Sequence, residues 1–478
     1  MPHGETSVHG LTLDWKRFVT HQVIDFMKVE RDAVKAVDPA IPVTTNFMYD
    51  FYHYKYFKFK DQLDVISWDA YPQWRNEGNV EAAADFALWH DVMRSIKGQP
   101  FLLMESTPST TNWTPVSKLK KPGMHMASSL QAVAHGANSV QYFQFRKSRG
   151  CSEKFHGAVV DHYGGSDTRV FRDVAAVGQR LEAIDAVTQS DVKAEVALVF
   201  DMENRWAIEG ASCPRNCGIH YAEQVRAHYR ALWRMGIPVD IVDEECVISG
   251  YKLVIAPMLY LLRAGFEEKL KAFVENGGTL ITTYWSGIAD DTDRCYLDGV
   301  PYGLMDVLGL RSEEIDGLYD WEENHLIPVG GNELGLTKTY SCRYLCDLVR
   351  VNGAEPLMVY GDDFYAGHAA LTKNTYGKGT ACYVAADAEE AFYDDFIAAL
   401  MKEKGIKAPV TGAIPVGLEV TTRETDTVRY YFYQNFSAHP VKLPLPEGTF
   451  ETVYGDAEAE LKPLGMVVLK AEKEISFV

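Results

Sequence analysis

Four short apolar strands alternate with helices over the first 190 residues, and each strand finishes in side chains able to bind or react. The strands are Pro42 to Phe47, Leu63 to Asp69, Phe101 to Ser106 and Ser139 to Phe145. Their reactive ends are Asn46, then Asp69 with Tyr71, then Glu105, then Gln144 with Arg146. Helical spacing is expected over 12–37 (Leu13, Phe18, Val23, Met27, Val34, Val37), with Asp38-Pro39 as its stop, and again near 79–96, 122–135 and 168–188. Strands alternating with helices make a parallel sheet, and parallel sheets carry their chemistry at the C-terminal strand ends. Phe101-Leu102-Leu103-Met104 suits a strand buried on both faces, which leaves Glu105 facing a barrel mouth. A closed barrel of this kind needs eight strands, however, and four leave two open edges. The expected fold of residues 1–191 is therefore the C-terminal half of a (β/α)8 TIM barrel.

The texture changes near residue 192. Buried strands at Val196 to Phe200, Lys252 to Pro257 and Gly277 to Thr282 alternate with helices near 220–235 and 265–275. This predicts an open α/β unit of flavodoxin or amidotransferase type over 192–405. Gly277-Gly278 sits in no GxGxxG or GxxxxGK[ST] pattern and reads as a helix C-cap rather than a phosphate cradle. Residues 406–478 lack helical periodicity. Their β runs, Val428 to Phe436 and Gly465 to Leu469, predict a small antiparallel β-sandwich.

Of the 478 residues 47% are hydrophobic, enough for large cores, and the formal charge of −19 disfavours nucleic acid or an anionic membrane as partner. No apolar stretch approaches the roughly 18 residues of a membrane span, and Met1 to Glu5 lacks the basic and apolar regions of a secretory leader. Eight cysteines spread over such a length fit a reducing cytoplasm. Cys213/Cys217, with His220 nearby, and Cys342/Cys346 have near-ligand spacing, but the same gap suits neighbours one helical turn apart, and neither pair supplies a full zinc set. Neither a metal nor a cofactor is expected. Cys246 lacks the glycines of a nucleophile elbow, which disfavours an amidotransferase centred on the middle unit.

Two loops carry the remaining candidates. Trp113, soon after Glu105, is costly to leave wet and stacks well on the C–H face of a sugar. Glu153 and His156, in the run Arg146 to Gly157, can offer acceptor and donor groups to vicinal hydroxyls; they equally suit a surface salt bridge and a helix end.

The segments Glu105 to Trp113, His125 to His135 and Gln141 to Arg146 through Gly157, together with Ser7-Val8-His9-Gly10-Leu11 and Ser67 to Pro72, closely resemble the β-galactosidases of glycoside hydrolase family 42. The resemblance spans essentially the whole chain. It implies a catalytic barrel, an α/β domain mediating trimer formation and a small β domain. It also implies retaining hydrolysis of β-galactosides, with Glu105 as nucleophile, Trp113, Glu153 and His156 holding the galactose, Phe143 lining the pocket and Tyr71 beside it. A retaining enzyme needs a second carboxylate about 5–5.5 Å from the first. In the family it follows an Asn at the end of the fourth strand, upstream of the segment matching Ser7 to Gly10. Asn76-Glu77 lies in the wrong loop to replace it, and the metal-binding cysteines of some members belong to the same upstream half. The expectation is a truncated or split β-galactosidase, inactive alone or dependent on a complementing N-terminal half-barrel polypeptide, and assembled as a homotrimer. The alternative is a non-catalytic galactoside-binding or assembly subunit.

Overall fold

The computed structural model describes residues 8–72, 79–212, 214–457 and 459–473. Helix α1 (His9–Val37) begins three residues before the expected start and stops at Asp38, whose N–H still reaches the Val34 carbonyl while its carboxylate accepts from the Ala40 N–H. Its apolar residues do not form one face. Leu13, Thr20 and Met27, spaced by sevens, are buried, whereas Leu11, Trp15, Phe18, Phe26 and Val29 are exposed. The helix is thus apolar on two sides, and only one of them is covered.

Strands β1 (Asn46–Phe47), β2 (Ser67–Asp69), β3 (Phe101–Glu105) and β4 (Ala137–Val140) form one parallel sheet in that order. Between them run α2 (Asn79–Lys97) and α3 (Met124–Ala134), and α4 (Arg169–Ala183) follows β4. Each strand is shorter than the apolar run that signalled it. The fourth differs most, ending at Val140 instead of Phe145. Gln141 still donates to the Leu103 carbonyl, but from Gln144 onward the backbone bonds to Gly157, Val159 and Val160, so this segment turns away to build the loop over the sheet. Among the described residues β1 pairs only with β2 and β4 only with β3, so both edges are open.

The second unit is built on β5 (Val196–Val199), β6 (Val239–Val242), β7 (Leu253–Ala256) and β8 (Thr279–Thr283), parallel in the order β6-β5-β7-β8. Apart from Asp240, all their residues are buried, as expected where helices cover both faces. Helices α5 (Met202–Gly210), α6 (Tyr221–Arg234) and α7 (Phe266–Glu275) supply that cover. Gly277, at φ +111°, follows the Asn276 C-cap and turns the chain out of α7. The sheet then continues further than the sequence indicated. Gly379–Val384 adds parallel to β8, and the strands from Leu310–Gly317 to Ala369–Tyr376, together with Ala386–Ala388, extend it antiparallel to a total of eleven. Charged runs such as Arg311 to Glu314 leave one side of this extension wet and mask the apolar alternation. Cys342 and Cys346 lie here on one strand, not a helix, with their sulfurs 4.0 Å apart. Cys213 lies outside the described residues, and no cluster of three or more His, Cys, Asp or Glu able to hold a metal occurs among the described ones. Cys246 gives its thiol hydrogen to Asp243, and burial pushes that thiol up to about 12, the reverse of nucleophile activation. No helix among the described residues is long and apolar enough to cross a membrane.

The C-terminal unit is a four-stranded antiparallel sheet of Leu418–Glu424, Val428–Asn435, Met466–Glu472 and Glu451–Tyr454. It is tied to the other two by buried polar groups. Glu419 accepts from Gln131 and His135 around α3 and from the Trp233 indole on α6, at 2.6–3.1 Å. Arg423, fully buried, donates to the carbonyls of Val133, Ala137 and Ser190. These bonds hold the half-barrel from behind, which leaves the strand ends free to form a site.

Candidate active site

Glu105 closes β3, where it stands in register with Asp69 at the end of β2. Adjacent strands lie about 4.8 Å apart, so two carboxylates now share one side of the sheet. The Asn46 side-chain amide spans them, donating to Asp69 Oδ2 at 2.8 Å and Glu105 Oε1 at 3.3 Å. Tyr71 donates its phenol hydrogen to the other Glu105 oxygen, Oε2, at 2.5 Å. Burial and the Glu105 charge push Asp69 up to about 7, so at neutral pH Asp69 is partly protonated. Burial and the same carboxylate raise the Tyr71 phenol above its ordinary range, which keeps it a donor. The product is a carboxylate held by two donors, with no cation in ion-pairing distance among the described residues.

Around it stands a ring of aromatics. Trp113 meets the Tyr71 ring edge-on at 5.5 Å, Tyr71 meets His156 at 5.8 Å, and His156 meets Phe143 at 5.1 Å. Trp113 remains exposed, so one indole face is open. His156 is buried. Its Nδ1 lies 3.0 Å from Asn112 Oδ1, while the Asn112 amide donates to the Ser152 carbonyl. That second bond fixes the amide's orientation, so Nδ1 carries the ring hydrogen, and the buried Nε2 makes no well-formed hydrogen bond among the described residues. Desolvation holds His156 below its ordinary range and therefore neutral. Glu153, half-buried in the same turn, accepts the His156 N–H on its backbone carbonyl at 2.9 Å, and its charge acts on both His156 and Tyr71.

Two loops make this convergence possible, and they touch at a glycine. Gly157 N–H reaches the Thr110 carbonyl at 2.7 Å, and a Cβ at 157 would sit 2.4 Å from Thr107 Oγ1 and 2.5 Å from Ser109 Oγ. Beneath, the buried Lys120 donates to the Thr107 carbonyl at 2.7 Å, with its ammonium brought down to about 7 by desolvation. All six residues singled out from sequence (Glu105, Trp113, Phe143, Glu153, His156 and Tyr71) thus fall in one neighbourhood. Asn46, Asn112, Gly157 and Lys120 were not singled out for the site. Asn46 and Asp69 had a signal, being polar ends of the first two strands; Lys120 had none. Asn76 and Glu77 lie outside the described residues.

Three family models match the chain: "Beta-galactosidase" over residues 1–184, "Beta-galactosidase trimerisation domain" over 194–407 and "Beta-galactosidase C-terminal domain" over 417–471. The β-galactosidase BglY of Alicyclobacillus acidocaldarius is 53% identical over 461 residues, 96% of this chain and 67% of that protein. The β-galactosidase Pbg of Clostridium perfringens is 46% identical over 479 residues, 98% of this chain and 69% of that protein. A crystal structure of a β-galactosidase from Rahnella sp. R3 superposes with a TM-score of 0.93 at 48% identity, covering 99% of this chain and 70% of that one. The chain therefore spans about two thirds of the length of these relatives. It belongs to the β-galactosidases of glycoside hydrolase family 42.

Proposed function

We propose that this chain carries the nucleophile half of a retaining β-galactosidase. Glu105 attacks the anomeric carbon of a terminal β-D-galactoside and forms a glycosyl-enzyme, which water then hydrolyses. The observation that carries this reading is the Glu105 carboxylate itself, held on both oxygens by neutral donors, Tyr71 and Asn46, that orient it without taking its charge. Trp113 stacks the sugar, Phe143 lines the pocket, Glu153 accepts from hydroxyls, and His156 Nε2 accepts one more. Tyr71, first read as a sugar contact, acts through Glu105 as well. No cofactor enters the step.

The acid/base carboxylate comes from barrel strands outside residues 1–478. Asp69 has the acidity but not the place. It stands beside Glu105 on the neighbouring strand, one oxygen is bonded to Asn46, and the other is buried. Without an acid/base, hydrolysis of unactivated galactosides falls by about 10²–10⁴-fold. The open edges at β1 and β4 receive the complementing half-barrel, whether it lies on the same polypeptide or another. A division at residues 191 and 405, a homotrimer built through the middle domain and a reducing cytoplasm belong to the same proposal. Support comes from the limits of the three matched families and from the seven described cysteines, all free thiols.

The test is hydrolysis of nitrophenyl β-galactoside by the purified chain, with and without a polypeptide supplying four further strand–helix units. Turnover only in the mixture is expected. Robust turnover by the chain alone overturns the claim of a missing acid, and binding of galactose with no turnover in any combination would favour a non-catalytic subunit.

A further inference from the structure

Asn46 serves two carboxyl groups from one nitrogen. Its Nδ2 has two hydrogens, one given to Asp69 Oδ2 at 2.8 Å and the other to Glu105 Oε1 at 3.3 Å. Asp69 is only 8% exposed, and its Oδ1 is sealed from water with no hydrogen bond among the described residues. Few titratable groups face it. Glu105 approaches from β3, and the phenols of Tyr56 and Tyr71 are near, but their hydrogens go to the Met48 carbonyl and to Glu105 Oε2. No Lys, Arg or His among the described residues offsets the Asp69 charge.

Three side-chain hydrogens, two from Asn46 and one from Tyr71, thus serve both carboxyl groups. That supply suits one negative charge. Two would repel across neighbouring strands, with Asp69 Oδ1 left unsolvated. A proton on Asp69 removes the conflict as long as Glu105 is a free carboxylate. Glycosylation reverses the balance, because Glu105 becomes a neutral ester and the charge that favoured the proton on Asp69 is gone.

We propose that Asp69 is a positioning residue whose proton alternates with the sugar on Glu105: Asp69 holds the proton while Glu105 is a free carboxylate and releases it when Glu105 carries the galactosyl group. This rests on the reading of Glu105 as nucleophile and adds how its lost charge is replaced. As the bond from Glu105 to the anomeric carbon forms and the bond to the leaving group breaks, the Asp69 proton passes to water. It returns when hydrolysis frees Glu105. In between, the Asp69 carboxylate restores a negative charge one strand away from the ester, where the second step builds positive charge on the sugar. Asn46, bonded to both groups, serves whichever of them is charged.

The test uses the chain complemented by a first-half polypeptide and a dinitrophenyl 2-deoxy-2-fluoro-β-galactoside. Its leaving group departs as an anion, so formation of the glycosyl-enzyme by itself neither takes up nor releases a proton. Followed with an indicator dye at pH 7, where Asp69 is near half-protonated, the wild type should release roughly a third to a half of a proton more per sugar than Asp69→Asn. Any other acid that responds to the loss of the Glu105 charge does so in both proteins. With the unfluorinated dinitrophenyl galactoside, Asp69→Asn should lower kcat about tenfold or more and kcat/KM less than about threefold, since asparagine keeps the bond from Asn46 but cannot take the charge. A parallel fall in both constants would leave Asp69 a structural role and overturn the proposal. In the wild type, with aspartate carrying ¹³C in its side-chain carboxyl, infrared difference spectra should lose an isotope-shifted carboxylic acid band on glycosylation. Unchanged aspartate bands, or equal proton release from two proteins both labelled on Glu105, overturn the proposal and leave the nucleophile reading intact. A sugar found on a residue other than Glu105 overturns both.

Discussion

Helices α1 and α2 belong to the same half-barrel, and they meet opposite surroundings. In α2, twelve of nineteen residues are buried, among them His90, Asp91 and Arg94, because the middle domain closes over its outer side. In α1 only three of twenty-nine are buried, and Phe26 and Val29 stand 65% and 70% exposed. Four strands need something to pack against. The α2 face has found it in two neighbouring domains, whereas α1 shows an exposed apolar stripe. The half-barrel is therefore covered on one side by its own chain and exposed on the other.

Breaking the closed side should cost most. Glu419→Ala removes the acceptor shared by Gln131, His135 and Trp233 and leaves His135 facing Asp91 alone, so a loss of about 3–5 kcal/mol in denaturant unfolding is expected. Phe26→Ala on the open side should change the same measurement by less than about 0.5 kcal/mol. Equal losses at both positions would dissolve the contrast.

A second effect follows from His135, wedged between Asp91 and Glu419. Their charges outweigh its burial and raise it to about 10. The folded state thus holds this proton where the unfolded state has released it. The stabilisation is complete below about 6.5 and is lost as pH rises toward 10. Thermal midpoints should fall across that window, and the fall should shrink in His135→Gln.

The open side is sharpened by complementation. Phe26→Glu with Val29→Glu should leave the stability of the chain nearly unchanged, yet reduce by about tenfold or more the activity regained with a first-half polypeptide, since two charges would be buried in the joint. The smallest expected effect concerns the site's support. Lys120→Met keeps the bulk of a side chain that holds the Thr107 carbonyl through one hydrogen bond, so regained activity should drop only a few-fold, consistent with about 1 kcal/mol for that bond.

The same contrast explains what was legible in the sequence. Parallel strands with polar ends announced the sheet, and Glu105 stood out because a carboxylate ending an apolar run is conspicuous. Loop chemistry offers Trp113, Glu153 and His156 with bland alternatives beside them, and only family resemblance gathers them around Glu105, since the bonds that assemble them join residues such as Asn112 and His156, 44 positions apart. The two stripes of α1 merge in the sequence, where Leu13 and Phe18 both fit a helical period; only burial separates them. Strand β4 ends earlier than its composition predicts because Gln141 to Phe145 stays strand-like while the hydrogen bonds from Gln144 onward pass to residues 157–160. Glu419 and Arg423, polar residues in a β run, gave no sign that they pin three domains, since a buried charge is recognisable only through its partners.

The most direct measurement uses a substrate that needs no acid. A dinitrophenyl leaving group departs unaided, and a 2-fluoro substituent slows hydrolysis of the glycosyl-enzyme, so the nucleophile alone should be labelled. Incubating the complemented enzyme with dinitrophenyl 2-deoxy-2-fluoro-β-galactoside and mapping the adduct by mass spectrometry should place one fluorogalactosyl group on Glu105, with none on Glu105→Gln. A label on any other residue, or an unchanged label in Glu105→Gln, would contradict the account.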